Sequence, residues 1–199
     1  DGVDIKPEAF YDMLADSEEL PTTSQPSPEL YLEQFLQAKA QGDEVLVLTL
    51  SGGLSGTINS AQLAKEMSGY GPITIIDTRQ AIITQRMLVQ RAVLRRDQGV
   101  GREAIAAEIL AARDRLLVCG VLDTLTFLRK GGRIPPAFDI IGNALRIKPI
   151  IELKDGALIK LGLVRGLAKG KETLWRELEQ AEVDTDWPIC TGYTFDRAN

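Results

Sequence analysis

The run EVLVLTL, Glu44 to Leu50, stops at the turn SGGLSG, and a helical pattern, TINSAQLAKEM, begins at once. No other junction in the chain limits its fold so strongly. A strand with apolar residues at successive positions is buried on both faces, as in a parallel sheet. A parallel neighbour needs a crossover, and the helix supplies it. The next apolar run, ITIID, is that neighbour. Two helical stretches follow, AIITQRMLVQRAVLRRDQG and REAIAAEILAARDR, divided near Gly99 to Gly101. Strands alternating with helices make an α/β fold around a parallel sheet.

Upstream, Pro7 suits the first turn of a helix, with Phe10, Tyr11 and Leu14 at helical spacing. The stretch LPTTSQPSPE is rich in Pro, Thr and Ser and reads as a loop. Ser27 and Pro28 then start a second helix, with Leu32, Phe35 and Leu36 on one face and an end near Gly42.

The texture changes after Arg115. LLVCGVL reads as a strand, DTLTFLRKGGRI as a short helix stopped by Gly131 and Gly132, and PPAFDIIGNAL as another short helix. KPIIELKDGALIKLGLVRG is a hairpin turning at Asp155-Gly156. A helix about KETLWRELEQA and a strand WPICTGY close the chain. The fold class is therefore α/β. A three-layer α/β/α domain with a mainly parallel sheet spans residues 1–113. A smaller two-layer α/β domain with a mixed sheet, incomplete at its C-terminus, spans 114–199.

Composition acts here by exclusion. The sequence has no histidine, which removes Ser-His-Asp and Cys-His catalysis and histidine metal ligands. Cys119 and Cys190 stand far apart and form no CxxC, so both read as small core residues and no metal site is expected. The net charge of −5 argues against a nucleic-acid footprint. No run is long and apolar enough to cross a membrane, and no signal peptide is visible, so a cytoplasmic protein is expected.

The turn after Leu50 suits an anion. A helix N-terminus offers unpaired N–H groups and the positive end of its dipole. Ser51, Ser55 and Thr57 add hydroxyls, and Gly52, Gly53 and Gly56 allow close approach. A phosphate-binding P-loop would need a lysine after Gly56, and a nucleophile elbow would need a glycine at Thr57; both patterns fail. A plain helix start after a strand needs the same turn, so it does not decide the matter alone. In an open α/β sheet, ligands collect beyond the carboxyl ends of the strands. There the loop PTTSQPSP would bring Thr23, Ser24 and Gln25 to the same place. Arg133 lies among glycines in RKGGRI and Arg165 in LVRG, where a planar donor fork suits phosphate or carboxylate. Phe127, Leu128, Ile134, Phe138, Ile140, Ile141, Leu145 and Ile147 exceed what short helices need. They serve either as a second core or as a slot for the apolar tail of an anionic ligand.

Taken in order, DGVDI, PTTSQPSP, LTLSGGLSGTINSA, IIDT, DTLTFLRKGGRI, IGNALRIKPIIELKDG and LVRGLAKG resemble the DegV family of bacterial fatty-acid-binding proteins. The resemblance implies a long-chain fatty acid as ligand, no catalytic residue, and no cofactor or metal beyond that lipid. It implies that Thr23 and Ser55, with Ser24 and Gly56 beside them, hold the carboxylate. Arg133 and Arg165 would lie at the opening, facing a partner fatty acid kinase that makes the acyl phosphate. The family pattern also has a strand ahead of DGVDI and a segment beyond Asn199, so the resemblance implies a fragment. Two alternatives stay open on the residues themselves: an enzyme acting on a small phosphorylated or acyl substrate at the serine turn, and a sensor of an anionic metabolite.

Overall fold

A computed structural model describes residues 4–17, 21–135, 138, 147–184 and 186–194. The elements run α1 (Pro7–Asp16), α2 (Pro28–Gln41), β1 (Val45–Thr49), α3 (Thr57–Ser68), β2 (Ile73–Asp77), α4 (Ile82–Asp97), α5 (Arg102–Arg113), β3 (Val118–Val121), α6 (Thr126–Lys130), β4 (Ile147–Lys154), β5 (Ala157–Arg165) and α7 (Leu167–Gln180). Pro28 opens α2, and Gly42 ends it in the left-handed conformation, φ 74°.

β1 and β2 pair in parallel, Val45 with Ile73 through Thr49 with Asp77. Side chains alternate across the two strands. Val45, Val47, Ile73 and Ile75 meet Phe35 and Ala64 from α2 and α3. Leu46, Leu48 and Ile76 meet Leu88, Ala92, Ile105, Ala106 and Ile109 from α4 and α5. Helices therefore cover both faces of the sheet. Leu88 and Ile109 are fully buried. Burying each contributes roughly 1.5–3 kcal/mol.

The second sheet has the order β3-β4-β5 with α7 packed on it. The sequence leads one to expect mixed pairing there, but the described strands are antiparallel throughout. A tight two-residue hairpin can pair its arms no other way. That turn is Asp155-Gly156, with φ of 50° and 82°. Both central residues are left-handed, as a type I′ turn requires.

The end of the chain departs from expectation. Trp187 to Tyr193 is not a strand. Trp187 instead packs against the α4–α5 core, and Arg91 lies over its ring at 5.4 Å. Cys190 is consequently exposed and is not a core residue. Cys119 is half-buried on β3, where burial, then Glu152 and Glu177, push its thiol pKa up. The helix expected at PPAFDIIGNAL lies mostly outside the described residues.

Candidate functional site

β1 and β2 both end at the same edge of the parallel sheet, and the turn leaving β1 meets the loop leaving β2 there. A hydrogen-bond network fixes that edge. Thr78 is fully buried and its Oγ1 donates to the Thr49 carbonyl at 2.7 Å. Gln85 Nε2 donates to the Leu48 carbonyl at 3.0 Å. The Ser51 amide donates to the Gln80 carbonyl at 2.9 Å. Gln80 Nε2 and Arg113 Nη1 donate to the carbonyls of Arg113 and Asp77, tying α5 to the same edge.

Most amides of the serine turn are already hydrogen-bonded within the fold. The Gly52 amide faces both carboxylate oxygens of Asp77 at 3.2 Å. The Gly53 amide donates to Ser51 Oγ at 3.1 Å, and the amides of Leu54 and Ser55 donate to the Ser51 carbonyl. The Thr57 amide donates to Ser55 Oγ at 3.3 Å. Among the described residues, the amides of Gly56 and Ile58 have no acceptor. Free donors are thus concentrated at the first turn of α3, beside Ser55.

Ser55 is half-buried, and its Oγ lies 2.8 Å from Thr57 Oγ1. Ser51 behaves differently from expectation. It is fully buried, and its hydroxyl donates to the Gly156 carbonyl at 2.5 Å. It belongs to the scaffold of the turn and offers nothing to a ligand.

The loop carrying Thr23 and Ser24 is brought to this turn. Gln25 Nε2 donates to Ser60 Oγ, on the first turns of α3, at 2.9 Å. The Gln25 side chain crosses Gly56 so closely that a Cβ there would stand 1.8 Å from Oε1. Thr23 and Ser24 are exposed, and their hydroxyls have no hydrogen-bond partner among the described residues.

Of the two arginines, the structure brings one to the site. Arg133 Nε donates to the Leu54 carbonyl at 3.1 Å, and its Nη1 donates to the Gly131 carbonyl. Arg165 ends β5, opposite Ile147, at the far end of the hairpin from Gly156. The nine residues of β5 span about 30 Å at ~3.3 Å each. Arg165 therefore does not share the surroundings of Ser55.

Asp77 and Ser60 escaped the sequence reading as site residues. For Asp77 a signal existed, because IIDT places a carboxylate at the end of a strand beside the glycine turn. Of the expected apolar slot, Phe138 is fully buried under Lys160, while Phe127 is exposed. Ile140, Ile141 and Leu145 lie outside the described residues. A shallow hollow of about 590 Å³ opens elsewhere, at the C-terminal end of α3, lined by Gln62, Lys65, Glu66, Gly69, Tyr70 and Gly71. It is remote from the serine turn and is not part of this site. Among the described residues no group of His, Cys, Asp and Glu could hold a metal ion, and no helix is long and apolar enough to cross a membrane.

The family model described as "Uncharacterised protein, DegV family" matches residues 1–198. A DegV domain-containing protein of Caldanaerobacter subterraneus subsp. tengcongensis is 36% identical over 169 residues, covering 85% of this chain and 60% of that protein. A DegV family protein from Thermus thermophilus, described for its fatty acid binding, is similar in structure with a TM-score of 0.78 at 36% identity, covering 88% of this chain and 62% of its own. The Fatty Acid Kinase B3 protein of Streptococcus pneumoniae, loaded with linoleic acid, matches with a TM-score of 0.78 at 26% identity, covering 90% and 64%. The chain thus spans about 60% of the length of the curated relatives it matches.

Proposed function

This chain belongs to the DegV family, and from that premise we propose that it binds a long-chain fatty acid and presents the carboxylate to a partner kinase. One observation carries the reading. Gln25 ties the Thr23–Ser24 loop to the first turn of α3, where Ser55 and the free amides of Gly56 and Ile58 lie. Neutral hydroxyls and helix amides suit a carboxylate, which needs donors and no proton acceptor. In this reading Thr23 and Ser55 donate to the head group, with Ser24 and Gly56 beside them, and the tail runs toward the apolar residues around Phe138. The Thermus protein's fatty acid and the Streptococcus protein's linoleic acid support the choice of ligand. The kinase-associated description of the latter supports the choice of partner.

The site is a holding site in this reading, and acyl-phosphate chemistry belongs to the kinase with its ATP. The division into units at residues 1–113 and 114–199 is part of the same proposal, with the serine turn at their junction. The test is a native mass spectrum of protein purified from a bacterial host. A retained long-chain acid is expected. Retention of a small phosphorylated anion instead would favour an enzyme or a metabolite sensor.

A further inference from the structure

Thr23 and Ser24 stand in a loop with no helix or strand between residues 21 and 27. Two exposed hydroxyls on such a loop act together on one head group only if something fixes them, since free backbone loses entropy on ordering. The Gln25 side chain is placed to do this. Its Nε2 donates to Ser60 Oγ at 2.9 Å, and Ser60 is buried in α3. Its Oε1 lies over Gly56, where an added Cβ would stand 1.8 Å from Oε1, 2.8 Å from Cδ and 3.2 Å from Nε2. The backbone of Gly56, φ −74° and ψ 9°, is one that other residues can adopt. Conformation therefore does not demand a glycine at 56, but any larger residue would force the crossing side chain aside.

We propose that Gln25 is a positioning residue, a strap that fixes the Thr23 and Ser24 hydroxyls against the N-terminus of α3, and that Gly56 is glycine to let the strap cross. The proposal rests on the carboxylate reading for its consequence in binding. The strap itself rests on packing alone, so the two can fail separately.

The strap predicts a specific coupling. Gln25→Ala removes it and leaves the Ser60 hydroxyl without this acceptor role. Gly56→Ala keeps the whole glutamine but forces it off its path. Once Gln25 has been truncated, the methyl of Gly56→Ala meets the space left behind. The second substitution should then add little to the first, a non-additivity expected of residues in direct contact.

The experiment uses the wild-type chain, both single variants and the double variant. Ligand-free NMR relaxation reads the backbone order of residues 22 to 25, and titrations with palmitic acid and 1-hexadecanol read binding. Each single variant should lower the order of this loop and weaken palmitic acid by about tenfold, the size of one charge-assisted hydrogen bond. Binding of the alcohol should change by less than about twofold, and the double variant should match Gln25→Ala. Unchanged loop order in both single variants, additive losses in the double variant, or equal losses for acid and alcohol would overturn the strap. If the wild type binds neither lipid, the carboxylate reading fails, while loop order still decides whether Gln25 fixes the loop.

Discussion

The hydroxyl of Ser51 donates to the carbonyl of Gly156, 105 positions away, and so joins the end of the first parallel strand to the tip of the antiparallel hairpin. The fit is close on both sides. A Cβ at Gly53 would stand 2.4 Å from the Gly156 carbonyl oxygen, and a Cβ at Gly156 would stand 2.8 Å from Ser51 Oγ. Helices and strands of the two sheets pack mainly within their own layers. This contact and that of Arg133 with Leu54 are therefore main links at the serine turn.

Ser51→Ala should consequently act on stability before it acts on ligand. It removes the donor to the buried Gly156 carbonyl and the acceptor of the more exposed Gly53 amide. Leaving such groups unpaired costs roughly 1–3 kcal/mol. Urea unfolding should show that loss. A loss of lipid affinity with unchanged stability would instead make Ser51 a ligand group.

The head-group assignment is tested by Thr23→Ala combined with Ser55→Ala. Removing both hydroxyls should weaken palmitic acid binding by about tenfold or more in a displacement titration. Ser55 also accepts from the Thr57 amide and shares a contact with Thr57 Oγ1. Ser55→Ala alone should therefore lower stability slightly, by about 0.5–2 kcal/mol as for a lost helix cap. Thr23→Ala should leave stability unchanged, because its exposed hydroxyl is bonded to nothing in the described fold. Undiminished acid binding by the double variant would remove these two residues from the site.

What the sequence made legible was local. Pro28 at the start of α2, Gly42 at its end, and Asp155-Gly156 at the hairpin each act through their own backbone. The doubly buried β1 was legible because its two faces both need apolar residues. What the sequence did not make legible is non-local. Ser51 looks like Ser55 in sequence, and only the arrival of Gly156 separates a buried scaffold hydroxyl from a half-buried one. WPICTGY has the residues of a strand but gains no partner strand, because Trp187 covers the α4–α5 core instead. Arg133 and Arg165 look alike among their glycines, yet a long strand separates Arg165 from the turn.

The fold should show a pH dependence traceable to Glu108. Partial burial pushes its carboxyl pKa up, but hydrogen bonds and charge from Arg91 and Arg95 outweigh that and hold it below the usual carboxylate range. Its oxygens lie 2.5 Å from Arg91 Nε and 2.9 Å from Arg95 Nε. A carboxyl with a lowered folded pKa stabilises the fold fully above its unfolded pKa, and that stability is lost as pH falls through the folded value. Glu108→Gln should cost about 0.5–1 kcal/mol near neutral pH, since the network lies close to solvent. The difference from wild type should vanish once the pH drops below the ordinary carboxylate range. A difference constant across that range would mean the arginines act by packing alone.

The two arginines of the glycine motifs should separate by position. Arg133 holds the Leu54 carbonyl, one residue before Ser55, so it supports the site directly. Arg165 lies at the other end of β5, about 30 Å of strand from the hairpin tip, exposed and with no polar partner among the described residues. Screening at physiological salt, with a Debye length of about 8 Å, leaves it little direct influence on a carboxylate at Ser55. Arg133→Ala should therefore loosen the serine turn and lower lipid occupancy and kinase product together. Arg165→Ala should leave occupancy as in wild type. If a kinase docks on that end of the hairpin, the variant should need about tenfold more protein to reach half-maximal acyl-phosphate production, the effect of one lost charged contact. Lipid occupancy by mass spectrometry and product formation with kinase and ATP, measured on the same preparations, decide the matter. Loss of lipid from Arg165→Ala would bring that arginine into the binding site after all, and product formed without any kinase would replace the carrier by an enzyme.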